Sequence, residues 1–196
     1  MHRYHSPSQA VGAFPLAKGQ VQGLEGKAIF PKALETDDFP TLGLAVHAFL
    51  GAIPSLAGCK DEIWIKRAQD CLVSYGMSGF LTPEDLVQKA KVFRDWVINT
   101  YPGAKWHVEV PLSSPRLAGG QWTGTADLIL ELPSGDLVLI DHKSSPIKRE
   151  NCESKALTFF GQIAAYREIL ELLGNRVLDT FIHFPLACQI VNLVHP

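Results

Sequence analysis

Residues 124–145 read GTADLILELPSGDLVLIDHKSS. Two alternating, apolar-rich runs flank Pro-Ser-Gly-Asp, the pattern of two β-strands joined by a tight turn. In the first run Ala126, Leu128, Leu130 and Leu132 form an apolar face, and Thr125, Asp127, Ile129 and Glu131 form the opposite one. In the second, Asp141 and Lys143 share a face because they lie two residues apart, and His142 points the other way. The turn decides which acids meet. A two- or four-residue loop sets Asp127 opposite His142 and sends Asp141 to the other side of the sheet. A three-residue loop of Pro133-Ser134-Gly135 sets Asp127 directly opposite Asp141. Proline suits the first loop position of a type I turn and glycine the left-handed third, so the three-residue loop is expected. Lys143 then lies one step along the same face.

Two adjacent, partly desolvated carboxylates repel. At ~5 Å and an effective dielectric of about 20 the penalty is roughly 3 kcal/mol. A cation between them removes it, and carboxylate oxygens suit Mg²⁺ or Mn²⁺, which accept phosphate oxygens as further ligands. A neighbouring lysine can lower the pKa of a bound water or stabilise charge developing on phosphorus. The combination matches metal-assisted phosphodiester hydrolysis. Read alone, the Asp-His-Lys triplet fits solvated charges at a strand end equally well. The apolar run Leu137–Ile140 directly before it places the charges at the mouth of a buried strand.

Upstream, Leu42, Val46, Phe49, Leu50 and Ile53 recur at helical spacing, with Pro54 and Gly58 as the stop. A second helix carries Trp64, Ala68, Cys71, Leu72 and Tyr75 on one face and stops at Gly76. A third opens with Thr82 as N-cap, Pro83 at its first position and Glu84 and Asp85 in its first turn. Its stripe is Leu86, Ala90, Phe93 and Val97. A strand through Trp106, Val108 and Val110 precedes the hairpin. Downstream come a long helix from about Glu153 to Leu173 and strands over Val177–Phe184 and Gln189–Val194. Residues 1–40, punctuated by glycine and proline, are expected as a loosely structured lead-in with a short strand, ahead of one domain over 41–196. Helices followed by β-β-β-α-β-β predict an α/β fold around a mixed sheet, with too few alternations for a doubly wound one.

Composition bounds the function. The chain has 196 residues, 46% hydrophobic and 19% charged, which suits a folded domain with a real core. A net charge of −2 announces no strong grip on nucleic acid. Four cysteines are too sparse for a disulfide scaffold and suit a reducing compartment. The longest apolar stretch, Leu42–Ile53, falls short of the roughly 18–20 residues of a spanning helix, and no signal peptide is visible. A cytoplasmic protein with no membrane association is expected.

With these residues in place, the chain resembles the PD-(D/E)xK nucleases, specifically the RecB-like, helicase-associated branch. Gly124-Thr125-Ala126-Asp127 matches the first acidic motif and Leu139-Ile140-Asp141-His142-Lys143-Ser144 the second. Gln162-x-x-x-Tyr166 matches the branch's Q-x-x-x-Y, and Gly43-x-x-x-His47 its upstream G-x-x-x-H. The likeness covers roughly Thr41 to Phe184. It implies a restriction-endonuclease-like core, a mixed sheet flanked by helices in the order α-β-β-β-α-β, with a helical part before it. It also implies Asp127, Asp141 and Lys143 as catalytic residues, and His47, Asp127, Asp141 and the His142 backbone carbonyl as ligands of Mg²⁺ or Mn²⁺. Gln162 and Tyr166 would orient the DNA strand and brace the site. Glu109, in Trp-His-Val-Glu-Val-Pro, matches a recurrent E-x-P and would lie near the metal.

The residues taken by themselves are more ambiguous. A histidine beside an apolar stripe, such as His47, is more often packed than ligating. Tyr166 shares a core stripe with Phe159, Ile163, Leu170 and Leu173. Lys148, Arg149 and Lys155 form a basic cluster placed equally well for phosphates or for solvent. Cys59, Cys71, Cys152 and Cys188 are scattered, so no iron–sulfur cluster is expected, and no histidine spacing suggests zinc. No phosphate-binding Gly-Lys-Ser/Thr loop occurs, so a motor would have to come from a helicase domain or subunit. The expectation is a metal-dependent nuclease of single-stranded or unwound DNA, exonuclease-like, acting in repair or recombination. Its rivals are an inactive nucleic-acid-binding or scaffolding module and a stand-alone structure-specific endonuclease.

Overall fold

The computed structural model describes residues 4–10, 18–31, 38–115 and 119–194. Strands β1 (Tyr4–His5) and β2 (Lys18–Gly23) come first, then helices α1 (Phe39–Leu50), α2 (Ile53–Leu56), α3 (Asp61–Ser74) and α4 (Pro83–Thr100). Strands β3 (Lys105–Pro115), β4 (Gln121–Glu131) and β5 (Leu137–His142) follow. Helices α5 (Cys152–Leu157) and α6 (Phe160–Leu172) then lead to β6 (Val177–Phe184) and β7 (Gln189–Val194). All seven strands join one sheet in the order β1-β4-β5-β6-β7-β2, with β3 also paired to β4. The β1–β4 and β5–β6 pairs are parallel and the rest antiparallel, so the sheet is mixed. Among the described residues, no helix is long and apolar enough to cross a membrane.

Helices cover both faces. Phe49, Trp64 and Phe93 pack with Leu128, Leu130, Val138 and Ile140 on one side. Ile163, Tyr166 and Ile169 pack with Ile129, Leu139 and Ile182 on the other. Coverage on both sides explains the unbroken apolar run Leu137–Ile140, since all six residues of β5 are buried. On the face of β4 that carries Asp127, Ile129 is buried in the cluster with residues of α5 and α6.

The hairpin turn has the expected length. Leu132 N–H donates to the Asp136 carbonyl at 2.9 Å, Gly135 N–H donates to the Leu132 carbonyl at 2.8 Å, and Gly135 takes φ 88°. Pro133-Ser134-Gly135 is therefore the loop, and the ladder runs from Glu131↔Leu137 to Leu128↔Ile140. The same register carried one residue further sets Asp127 opposite Asp141.

Two expectations are corrected. The first helix stops at Leu50 and α2 forms a separate turn, because Pro54 has no N–H to donate to the Leu50 carbonyl. The long helix after the hairpin breaks between α5 and α6. There Thr158 donates its N–H and hydroxyl to the Lys155 carbonyl at 3.1 and 2.7 Å, and Phe159 N–H donates to Ala156 at 2.9 Å, closing a tighter turn. Phe160 rather than Phe159 consequently enters the core, and Leu173 is 58% exposed. The short strand expected in the lead-in is present as β2, which pairs with β7 along its whole length. The segment after β2 is held by Leu24 N–H on the Cys188 carbonyl (2.9 Å) and Ile29 N–H on Leu186 (2.7 Å). The ammonium of buried Lys89 also donates to the Lys27 carbonyl. No local pattern foretells these pairings between distant residues.

Candidate metal and acid–lysine site

The site forms where the C-terminal end of β5 meets β3, β4, α1 and α6. Asp127 Oδ2 accepts a hydrogen bond from His142 N–H at 2.7 Å and lies 3.6 Å from His47 Nδ1 on α1. His47, Glu109 and Asp127 each bring one ligand atom within 4.8 Å of the others. Glu109 lies between the pairs Val108↔Leu128 and Val110↔Ala126 of the β3–β4 ladder and has φ 49°, a left-handed conformation that costs a non-glycine residue on the order of 1 kcal/mol. Strain of this kind is retained where the surroundings over-determine it, here where Glu109 converges with His47 and Asp127.

Asp141 and Lys143 meet as their spacing requires. Lys143 Nζ is 2.6 Å from Asp141 Oδ2, in an ion pair whose alignment is not that of a hydrogen bond. Gln162 ties the two together, donating from Nε2 to Asp141 Oδ1 at 3.0 Å and accepting from Lys143 Nζ at 3.2 Å. The Lys143 ammonium also lies 4.6 Å above the Phe159 ring, which the break between α5 and α6 leaves at the site. Tyr166, one helical turn beyond Gln162, donates its hydroxyl to the Thr125 carbonyl at 2.6 Å and so braces β4 two residues before Asp127. A Cβ at Gly124 would meet Pro7 Cδ at 2.8 Å and Tyr166 Oη at 3.2 Å, which is why the motif opens on glycine.

Burial raises the pKa of Asp127, and burial followed by repulsion from Asp127 raises that of Asp141, with Lys143 opposing both. His47 is shifted down, chiefly by burial, so its imidazole is neutral and able to ligate at pH 7. His142 turns into the helical layer on the other face. Its Nδ1 is 3.0 Å from His183 Nδ1, and Phe93 stacks on His183 at 4.2 Å between ring centres. Burial drives both of these histidines down, His183 to about 3, so the pair is neutral.

Of the expected ligands, His47 and Asp127 belong to the trio. Glu109, expected only nearby, completes it, while the Asp141 carboxylate is held by Lys143 and Gln162. The donor set fits a divalent cation: one neutral imidazole and two carboxylates, with Mn²⁺ better matched than Mg²⁺ to the nitrogen. The buried Asp141 Oδ2 accepts no aligned hydrogen bond among the described residues and is ion-paired with the Lys143 ammonium at 2.6 Å. Arg149 is not free for phosphate. It donates to the Ala187 carbonyl at 2.9 Å and the Gly26 carbonyl at 2.5 Å, bracing two loops. Lys148 makes an exposed 3.9 Å pair with Glu150, and Lys155 lies 5.3 Å over the Phe159 ring. The His142–His183–Phe93 stack was not foreseen, because nothing local in the sequence links these three positions. The four cysteines are free thiols.

The raised carboxyl pKa values have a testable sign. In metal-free protein the folded state holds protons on these acids more tightly than the unfolded chain, so their contribution favours folding at low pH and is lost as pH rises from about 4 through about 6. Asp141→Asn is therefore expected to be more stable than the parent at pH 8, by roughly 1–2 kcal/mol or about 3–6 °C in Tm. The gain should vanish near pH 4. Thermal melts in chelator across that range check it, and a loss of stability at pH 8 counts against this picture of the acid pair.

Fold and site together define an α/β protein with a mixed sheet flanked by helices and a His–carboxylate–lysine cluster at one strand end. No protein-family model matches the chain, and no curated protein matches it.

Proposed function

We propose that this protein is a divalent-metal-dependent deoxyribonuclease of the RecB-like type, with a restriction-endonuclease-like core. It hydrolyses phosphodiester bonds in single-stranded or unwound DNA, beside a helicase domain or subunit, in repair or recombination. One juxtaposition supports this reading above the others: the three-residue turn brings Asp127 and Asp141 into register, with Lys143 2.6 Å from Asp141 and with His47 and Glu109 closing on Asp127.

His47, Glu109 and Asp127 would hold Mg²⁺ or Mn²⁺, with Asp141 Oδ2 and the His142 carbonyl as further donors. A bound cation would supply Lewis-acid polarisation of a phosphoryl oxygen and an acidified water. Gln162 aims the Lys143 ammonium at the acid pair, where it can orient an attacking water or offset charge building on the phosphate oxygens. Tyr166 keeps the Asp127 strand in place.

The test is cleavage of end-labelled single-stranded DNA by the purified chain. Cleavage is expected with Mn²⁺ or Mg²⁺ and none with chelator, and Asp127→Asn should be inactive. No cleavage with either metal overturns the proposal. A second reading has its own support: His142 N–H, Gln162 and Lys143 engage the acids directly. Metal-independent DNA binding without cleavage is the result that reading expects.

A further inference from the structure

Beside the acid cluster, an open cavity of about 530 Å³ runs along α1 toward α3. That volume lies within the roughly 300–1,000 Å³ of small-ligand sites. His47 and Glu109 line one end of it and are also two of the three converging ligand groups. Whatever sits at that cluster therefore opens directly onto this cavity. Arg67 and Tyr75 line it as well, with Leu44 and Val108 as apolar wall.

Arg67 sets this cavity apart. Arg94 pairs with Asp95, Arg149 with two backbone carbonyls, Arg167 with Glu171 and Arg176 with Asp136. Arg67 alone among the described arginines has no ion-pair or hydrogen-bond partner. It is exposed and lines a cavity whose other charged residue is Glu109. A guanidinium without an ion pair, an aromatic ring and an apolar wall lining one cavity is a set of groups that suits a nucleotide of a single strand. The fork binds a phosphate, the ring stacks a base, and the apolar wall excludes water from the stack.

We propose that this cavity is a nucleotide subsite flanking the cleavage position, with Arg67 holding the backbone phosphate and Tyr75 stacking the neighbouring base. The inference rests on the nuclease reading for the polarity of the ligand, but its test does not require turnover. Neither residue touches the reacting atoms, so both are positioning residues.

The experiment is fluorescence-anisotropy titration of a labelled oligothymidylate in Ca²⁺ at several salt concentrations. Arg67→Ala is expected to weaken binding about tenfold and to lower the slope of log affinity on log salt by about 0.7, the loss of one phosphate contact on a single strand. Tyr75→Leu, which keeps an apolar filler in a half-buried position, is expected to weaken binding about tenfold, and Tyr75→Phe to restore it. Lys66→Ala, on the same helix but paired with Asp70 and outside the cavity, serves as the control and should bind as the parent does. Equal affinity and salt slope in Arg67→Ala and Lys66→Ala overturn the subsite, as does an absence of oligonucleotide binding by the parent chain. Cleavage that persists while Arg67→Ala binds normally removes the subsite and leaves the nuclease reading standing. Arg67-dependent binding without any cleavage does the reverse.

Discussion

Lys143→Ala protein is expected to fold and to cleave single-stranded DNA at least a hundredfold more slowly than the parent with Mn²⁺, within the 10²–10⁴ that a positioned acid–base group contributes. Two effects act in the same direction. The ammonium at 2.6 Å is the cation nearest to Asp141, and it opposes the burial and the Asp127 repulsion that raise the Asp141 pKa. Without it, Asp141 holds its proton to higher pH, so the acid limb of the pH–rate profile should move upward. On the proposed nuclease reading, the group that would orient the water is lost as well. Asp141→Asn should be at least as inactive while gaining stability at pH 8, the opposite signs that mark a group kept for chemistry at a cost in folding. Gln162→Ala should fall less, since it removes the bridge and leaves both charges. Single-turnover rates from pH 6 to 9 measure all three, and a Lys143→Ala rate within threefold of the parent would remove lysine from the mechanism.

Phe93→Ala should be the most damaging packing change at the site. Phe93 is fully buried and stacks on His183, with its edge or face also against His142, Trp96 and Trp106. Phe→Ala in a core costs about 3–5 kcal/mol, roughly 6–20 °C in Tm for a chain of this size. The cavity would also loosen the neutral His142–His183 pair, whose backbone carries the end of β5 and so the Asp141–Lys143 spacing. Phe93→Leu, closer in volume, should cost under about 1.5 kcal/mol. Thermal unfolding followed by circular dichroism measures both, and an alanine variant within 1 °C of the parent would show that the stack does not support the site.

Much of this arrangement is legible along the chain because it is set by local rules. A strand reverses the side of each successive residue, so Asp141 and Lys143 share a face wherever the strand goes. Proline and glycine at the first and third loop positions select one turn, and the turn selects the Asp127–Asp141 register. Thr82, Pro83 and the acids behind them set the start of α4, and the Thr82 Oγ1 accepts from Asp85 N–H at 3.1 Å. Less legible were features in which a local pattern meets a distant partner. The periodicity of 153–173 reads as one helix, yet a turn closed by Thr158 breaks it and delivers Phe159 to Lys143.

The start of α4, the three-residue turn and the shared face of Asp141 and Lys143 were thus determined by the amino-acid sequence alone, since each depends on backbone geometry within a few residues. Tertiary structure decided the rest. It brought His47 from α1 and Glu109 from β3 to Asp127, set Gln162 between Asp141 and Lys143, tied Arg149 to loop carbonyls and left Arg67 unpaired beside the cluster. Those outcomes depend on which faces of separate elements are buried against one another, and burial is a property of the whole packed chain.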